Sequence, residues 1–272
     1  MRRVWLYLAL MVSGLLFALP VWMLFAGSLK PDELVLSEAG SLQGLFPTSC
    51  SLQNYRDVFE RVNFTRFLFN SLLITSLTVI LGLLVNSLAA YALARLRWRG
   101  RSLALSWTLA LLILPFEAIA VPLFYQSAVL GLRDSYLVQI LPFVANAFSI
   151  WLFYSFFAEF PKELEQAARI DGAGPWRCFF RIVLPASRPV FASVAILTAL
   201  MQWGSFLWPT LVTIGERVRP LPVAIACFQT LPPRQWGDIL AFAVMMVLPL
   251  LVLFLLFQSW FVKGVQSAGL KG

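Results

Sequence analysis

The chain has no histidine, only three cysteines and little charge: Asp, Glu, Lys and Arg make up 12% of its 272 residues. Without imidazole, the common zinc sites, Cys–His nucleophiles and histidine-ligated haem lack support. Cys50, Cys178 and Cys227 show no CxxC spacing. Cys178 reads as an inert thiol, and a disulfide between Cys50 and Cys227 is not the expectation. No GxxxxGK[ST] phosphate loop occurs, so the chain is expected to bind no ATP. Soluble domains carry about 25% charged residues, roughly twice the share here.

What fills the space is apolar. Hydrophobic residues make up 60% of the chain, too many for one globular core, and lipid is the natural solvent for the excess. Six spans are readable, at about 4–26, 67–94, 103–125, 135–157, 189–213 and 239–262. Each reaches the roughly 20 residues that carry a helix across the hydrocarbon core. Helices close their own backbone hydrogen bonds there, and no run of short alternating segments suggests a barrel. Arg2 and Arg3 ahead of the first run resemble the start of a signal peptide. That run exceeds the usual 7–15-residue signal core, and no A-x-A-type site follows it, so residues 1–66 are expected to hold a retained anchor helix and an outer-face segment.

The net charge of +8 does not point to nucleic acid, because it is sorted by segment. With the N-terminus inside, the inner segments hold thirteen of the 21 basic residues, including the cluster Arg95, Arg97, Arg99 and Arg101. The outer segments hold eight bases and eight acids. This is the positive-inside pattern, and it places both termini and the 158–187 loop in the cytoplasm.

Prolines interrupt most spans, at 20, 115, 122, 142, 209 and 249. Each frees a backbone carbonyl and favours a kink. Kinked spans suit a protein that encloses a pathway, and they also suit a static bundle that uses kinks for packing. Glu117 is the one acid read as lying well inside a span; it serves gating or structure, or lies on a translocation route. Asn70, Asn86, Asn146 and Gln202 read as interhelical hydrogen-bonding groups, with substrate contact as the other reading. Outside the spans, Asn54 is expected to cap a short amphipathic helix carrying Tyr55, Val58, Phe59 and Val62.

The 158–187 loop is the most structured polar segment. Pro161 suits the first helical position, Glu163 and Glu165 the positive helix end, Arg169 the other end, and Gly172 a left-handed stop. That predicts a helix over 161–171 with Leu164, Ala167, Ala168 and Asp171 on one side. Pro175 then opens a second helix with Trp176, Phe179, Phe180 and Val183 on its apolar side, ended by Leu184-Pro185. A helix–turn–helix of this kind is a docking surface for a partner.

The spacing Gln166-Ala167-Ala168, then Gly172, then Ile182-Val183-Leu184-Pro185 resembles the EAA loop of binding-protein-dependent ABC importer permeases. Asn70-Ser71, AYALARLRWRGR at 90–101, LPFEAIAVPLF at 114–124, GLRDSYLVQILP at 131–142, Trp203…Phe206-Leu207-Trp208-Pro209 and the tail FQSWFVKGVQSAGLKG resemble the carbohydrate (MalF/MalG-type) subfamily, on its MalG-like side. One departure is visible: Gln166 stands where the family usually has glutamate, with Glu165 just before it.

The resemblance implies an all-α integral membrane protein with the type I importer transmembrane fold. It has six kinked spans, a permease domain over 67–262, the coupling loop at 158–187 and a cytoplasmic tail at 263–272. It implies a plasma-membrane permease subunit for uptake of a sugar or polyol, partnered by a second, MalF-like permease, two ATPase subunits that carry ATP and Mg, and an extracytoplasmic solute-binding protein. Glu165, Gln166, Ala167, Ala168, Asp171 and Gly172 would form the ATPase-coupling surface. Glu117, Asn146, Gln202 and Trp203 are candidates for the pathway or gate. No cofactor and no enzymatic activity are expected of the chain itself. Two rivals are an ion-coupled secondary transporter, which usually shows more intramembrane acids and internal repeats, and a membrane enzyme, for which no catalytic constellation is present.

Overall fold

A computed structural model describes residues 2–46 and 49–269, with side chains described through Leu256. In chain order the helices are α1 (Arg2–Ser28), α2 (Asp32–Ser37), α3 (Gln53–Arg61), α4 (Phe64–Arg95), α5 (Arg101–Leu111), α6 (Phe116–Val129), α7 (Tyr136–Val144), α8 (Ala147–Glu159), α9 (Lys162–Ile170), α10 (Pro175–Cys178), α11 (Leu184–Ala186), α12 (Arg188–Trp203), α13 (Leu207–Val212), α14 (Leu221–Phe228) and α15 (Trp236–Gly269). A 3₁₀ turn covers Leu42–Leu45, a π turn covers Phe179–Val183, and no strand occurs among the described residues.

Four stretches are long and apolar enough to cross a membrane: residues 3–28, 64–95, 136–159, which joins α7 and α8 across an extended break, and 236–256. Two further candidates are bent pairs, α5 with α6 at 103° and the 175–186 segment with α12 at 79°. The expected third span, 103–125, is therefore not one straight helix. After Leu111 the chain winds through i→i−3 bonds from Leu112, Ile113 and Leu114. Proline disfavours α geometry in the residue before it, and Pro115 takes an extended conformation as the N-cap of α6. The expected fifth span, 189–213, ends at Trp203, and Leu207–Val212 forms a separate short helix.

The chain divides into two compact units, residues 1–69 with 220–251, and residues 70–219 with 252–272. In the first unit, α1 is apolar on all sides, and none of its hydrophobic window is buried by the chain. Such a helix has lipid or another subunit as its solvent. The segment after it is tied down by buried polar groups. Lys30 pairs with Glu38 at 2.7 Å and also donates to the Gln43 carbonyl. Arg61 meets Asp238 at 2.6 Å, donates to Gln235 Oε1 and the Leu231 and Pro233 carbonyls, and lies over the Phe228 ring. Asn54 is not the cap of α3. The helix starts one residue earlier, so Asn54 lies within its first turn, where it is buried and donates to the Ser28 and Lys30 carbonyls at 2.8 and 2.7 Å. Of the predicted apolar stripe Val58 is buried, whereas Phe59 is exposed. Cys50, Cys178 and Cys227 are free thiols, with Cys178 buried.

In the second unit, an aromatic core gathers Tyr91 of α4, Phe153 and Phe157 of α8, Phe160, Phe179 of the π turn and Val190 and Val194 of α12. Tyr91 and Phe179 lie 5.1 Å apart, and Phe153 and Phe191 4.7 Å apart. Lipid is as apolar as these rings, so their contribution is close packing, about 0.5–1.5 kcal/mol for each good ring pair beyond area burial.

A second centre packs Trp208 and Val212 of α13 against Val138 of α7, and the Trp208 indole donates to the Val138 carbonyl at 2.8 Å. The loop that follows α13 is held by buried amides. Asn70 donates to the Arg217 and Arg219 carbonyls at 3.2 and 2.9 Å and accepts from the Tyr136 hydroxyl. Gln139 donates to the Val218 carbonyl at 2.9 Å. Asp134, at φ +54°, accepts from the Ile214 and Gly215 amides.

Candidate functional site

The 158–187 loop forms as a helix–turn–helix. Pro161 is the N-cap of α9 rather than its first residue, and Glu163 and Glu165 occupy the first turn, where the partial positive charge of the helix end favours carboxylates. The helix stops in a Schellman motif. Gly172 is left-handed at φ +80°, its amide bonds the Arg169 carbonyl at 3.0 Å, and the Ala173 amide bonds the Ala168 carbonyl at 2.9 Å. Only glycine adopts that φ without steric cost.

What holds α9 in place is a buried ion pair. Arg95, the last residue of α4, has a side chain 4% exposed; its Nε lies 2.8 Å from Oε1 of Glu165, whose side chain is 7% exposed. The two meet as charges, without an aligned N–H···O bond between those atoms. Arg95 also donates to the Phe160 carbonyl and lies over the Phe160 ring. A buried pair of this kind is a weak net stabiliser, but losing one member leaves an uncompensated charge. It ties α9 to the end of a membrane span. Glu165 therefore turns inward, away from the exposed surface that carries Gln166. Gln166 is exposed, as are Leu164, Ala167 and Ile170, the last to 87%. Ala168 is half-buried. The outward surface is thus Leu164, Ala167 and Ile170, with Gln166 beside them and Asp171 and Gly172 at the tip.

The second arm differs from the expectation. The π turn widens the helix at Phe179–Val183. Phe179 and Val183 enter the aromatic core, while Trp176 and Phe180 remain exposed and stacked on each other, 6.1 Å apart with 13° between planes. The four do not share one buried side.

The pathway candidates lie on different helices, α6, α8 and α12, or at their ends. Glu117 is exposed in the first turn of α6, directly after the break at Pro115, in the second arm of a bent candidate span. Asn146 is the N-cap of α8, accepting from the Ser149 amide at 2.9 Å. Its own amide donates to Asn86 Oδ1, and Asn86 donates to the Val144 carbonyl. These two side chains satisfy the backbone groups freed between α7 and α8, as an interrupted span requires. Gln202 reaches the Gln139 carbonyl at 3.4 Å, and Trp203 is buried. The tail residues 263–272 lie outside the described side chains. Sequence reasoning counted Arg95 only as a topology signal. Its place at the end of a span, one loop before two acidic positions on a short helix, was the available hint.

The family described as "Binding-protein-dependent transport system inner membrane component" matches residues 79–267. The arabinooligosaccharides transport permease AraQ of Bacillus subtilis is 31% identical, over 99% of this chain and 96% of its own. The trehalose permease SugB of Mycobacterium tuberculosis is 32% identical over 98% and 97%, and the trehalose/maltose permease MalG of Thermococcus litoralis 32% identical over 100% and 98%. The crystal structure of a bacterial ABC transporter that imports alginate contains a chain of the same fold, with TM-score 0.81 and 22% identity over 95% of both chains. The ion-coupled alternative gains no support from any of these. With the family model covering most of the chain and relatives above 30% identity along nearly all of it, the chain belongs to the inner-membrane permease components of binding-protein-dependent transport systems.

Proposed function

We propose that this chain pairs with a second permease to enclose the path of a sugar or related polyol across the bacterial plasma membrane. Two separate ATPase subunits carry ATP and Mg, and one of them docks on the outward surface of α9. A solute-binding protein delivers the solute on the opposite side. Both termini and the 158–187 loop face the cytoplasm, in keeping with the placement of basic residues. The sugar class rests on the relatives' named substrates: arabinooligosaccharides, trehalose and maltose.

The observation that carries the coupling role is the combination at α9. Three apolar side chains are left uncovered on a nine-residue helix whose opposite side is anchored by the Arg95–Glu165 pair. Exposed apolar groups on a rigid, polar-flanked tip suit a protein partner. Movement of that partner would be transmitted to α4 through the ion pair and to α8 and α12 through the aromatic core. Gln166 keeps the length and hydrogen-bonding capacity of glutamate, so docking there relies on a neutral contact.

Affinity purification of the tagged chain from mildly solubilised membranes tests the assembly. The expected result is co-purification of a second permease and a P-loop ATPase; a chain that purifies alone would contradict it. Gly172→Pro tests the loop. Proline fixes φ near −65° and removes the amide that bonds Arg169. The variant is expected to insert normally and lose ATP-driven uptake, and full uptake would count against docking through α9.

A further inference from the structure

Beneath α9 lies an open cleft of about 1220 Å³, lined by Arg95, Arg97, Trp98, Arg101, Lys162 and Arg169, with Glu165 as its acid. Arg95 neutralises Glu165, Arg169 lies 4.0 Å from the other Glu165 oxygen, and Arg101 is spent partly on the Ala94 carbonyl. Arg97, Lys162 and Arg169 are exposed to the cleft side of the solvent. One carboxylate against five cations leaves a strongly positive concavity, which selects an anion. Its position adds a second constraint. The cleft sits where α4, a membrane span, ends and α5 begins, with the half-exposed ring of Trp98 at its rim. Aromatic rings and basic side chains mark the headgroup level of a bilayer. Along α5, whose first residue Arg101 lines the cleft, Leu103, Trp107 and Leu111 recur at i, i+4 and i+8 and are 63%, 66% and 54% exposed, forming an apolar stripe on that helix.

A soluble anion would use the cleft and leave the stripe bare. An acidic protein segment would not need an apolar stripe on a membrane helix. A molecule with a negative headgroup and a hydrocarbon chain uses both. We propose that the cleft seats the phosphodiester of an anionic phospholipid, with an acyl chain along Leu103, Trp107 and Leu111. Headgroup occupancy would bridge the end of α4 to Lys162 and Arg169 of α9, making the lipid a second tie between the span and the docking helix. Lipid capture requires only that α4 and α5 lie in a membrane, so its failure and a failure of coupled transport are separate results.

The test is native mass spectrometry of the purified full chain titrated with phosphatidylglycerol or with phosphatidylcholine of the same acyl chains. The wild type should retain one phosphatidylglycerol in preference to phosphatidylcholine. Each cation near an anionic lipid contributes about fivefold, so Arg97→Gln with Lys162→Gln should weaken retention by about thirtyfold. Arg56→Gln, an exposed cation of the other unit, should leave it unchanged. Leu103→Asn should weaken retention of the long-chain lipid and not of a short-chain analogue.

Equal retention of both lipids, or no change in the double variant, would overturn the proposal. Displacement of the lipid by excess inorganic phosphate would identify a soluble-anion site and overturn it as well. Loss of the lipid when the chain assembles with its partner subunits would make the cleft a protein-docking surface, with the same consequence.

Discussion

Two loops of the second unit solve the same problem in opposite ways. The first arm of the 158–187 loop stands on local chemistry: a proline N-cap, acids in the first turn, a left-handed glycine and a Schellman stop, with Arg95 as its long-range polar tie. The 213–219 loop has little regular structure and is held from a distance, by Asn70, Asp134, Tyr136 and Gln139 bonding to its backbone. In the first, backbone groups are satisfied within the loop, so its side chains stay available for a partner. In the second, buried amides spend their hydrogen bonds on the loop, which fixes its path over the ends of α7 and α13. A segment built to transmit a push needs internal rigidity and one firm attachment; a segment that closes off a bundle needs many attachments and little structure of its own.

The largest expected effect comes from breaking the single attachment. Arg95→Ala leaves the buried Glu165 with only the exposed Arg169, 4.0 Å from its other oxygen, at a cost approaching the roughly 3–5 kcal/mol of a broken buried pair. Limited proteolysis should then cut between Lys162 and Gly174, where the wild type resists. Replacing both members, Arg95→Met with Glu165→Leu, should restore resistance, because a buried pair and an apolar pair of similar volume are nearly equivalent. If the double variant is as labile as the single one, the pair is not what secures α9.

Asn70→Ala sharpens the other side of the contrast. It strips donors from two carbonyls, at about 1–3 kcal/mol for each that stays dry. A lowered Tm in detergent is expected, with faster hydrogen exchange confined to residues 213–219 and unchanged protection of α9. Gly172→Ala comes next, at about 1–2 kcal/mol. A Cβ there meets nothing within 4 Å, so the whole effect is conformational, and it should appear as fraying of α9 by exchange at the amides of Gly172 and Ala173.

Ile170→Ser should change stability by less than about 0.5 kcal/mol, since the side chain is 87% exposed. Its affinity for the ATPase subunits, measured by titration in detergent, should fall about tenfold if it acts as an anchor of the docking surface. Gln166→Glu is the mildest change, expected to preserve stability and uptake at low salt. A gain in uptake that salt removes would show that the partner still carries the matching cation.

The local loop was legible in the sequence because its signals are local. Pro161, Glu163, Glu165, Arg169 and Gly172 each act on the turn they occupy, and all take up the predicted positions within a residue. The spans were legible from apolar length, except where Pro115 and the chain after Trp203 break them. Proline announces a perturbation without saying whether the helix kinks or ends. The roles of Asn70, Asn86 and Gln139 were not readable in detail, because an amide inside an apolar run has no local partner; their acceptors lie 58 to 149 residues away. The same distance hid Arg95. A basic cluster at a span end satisfies the topology rule whether or not one of its members turns inward, and only the folded chain brings Arg95 to Glu165.

The most direct measurement is cysteine cross-linking in assembled complexes, in a background with Cys50, Cys178 and Cys227 replaced by serine. Ile170→Cys on the exposed side of α9 and Ile214→Cys on the amide-held loop are compared with one short bifunctional reagent. The account predicts that position 170 links to the ATPase subunit and that position 214 does not. Equal linking at both positions, or a link at 214 alone, would contradict the assignment of α9 as the coupling element.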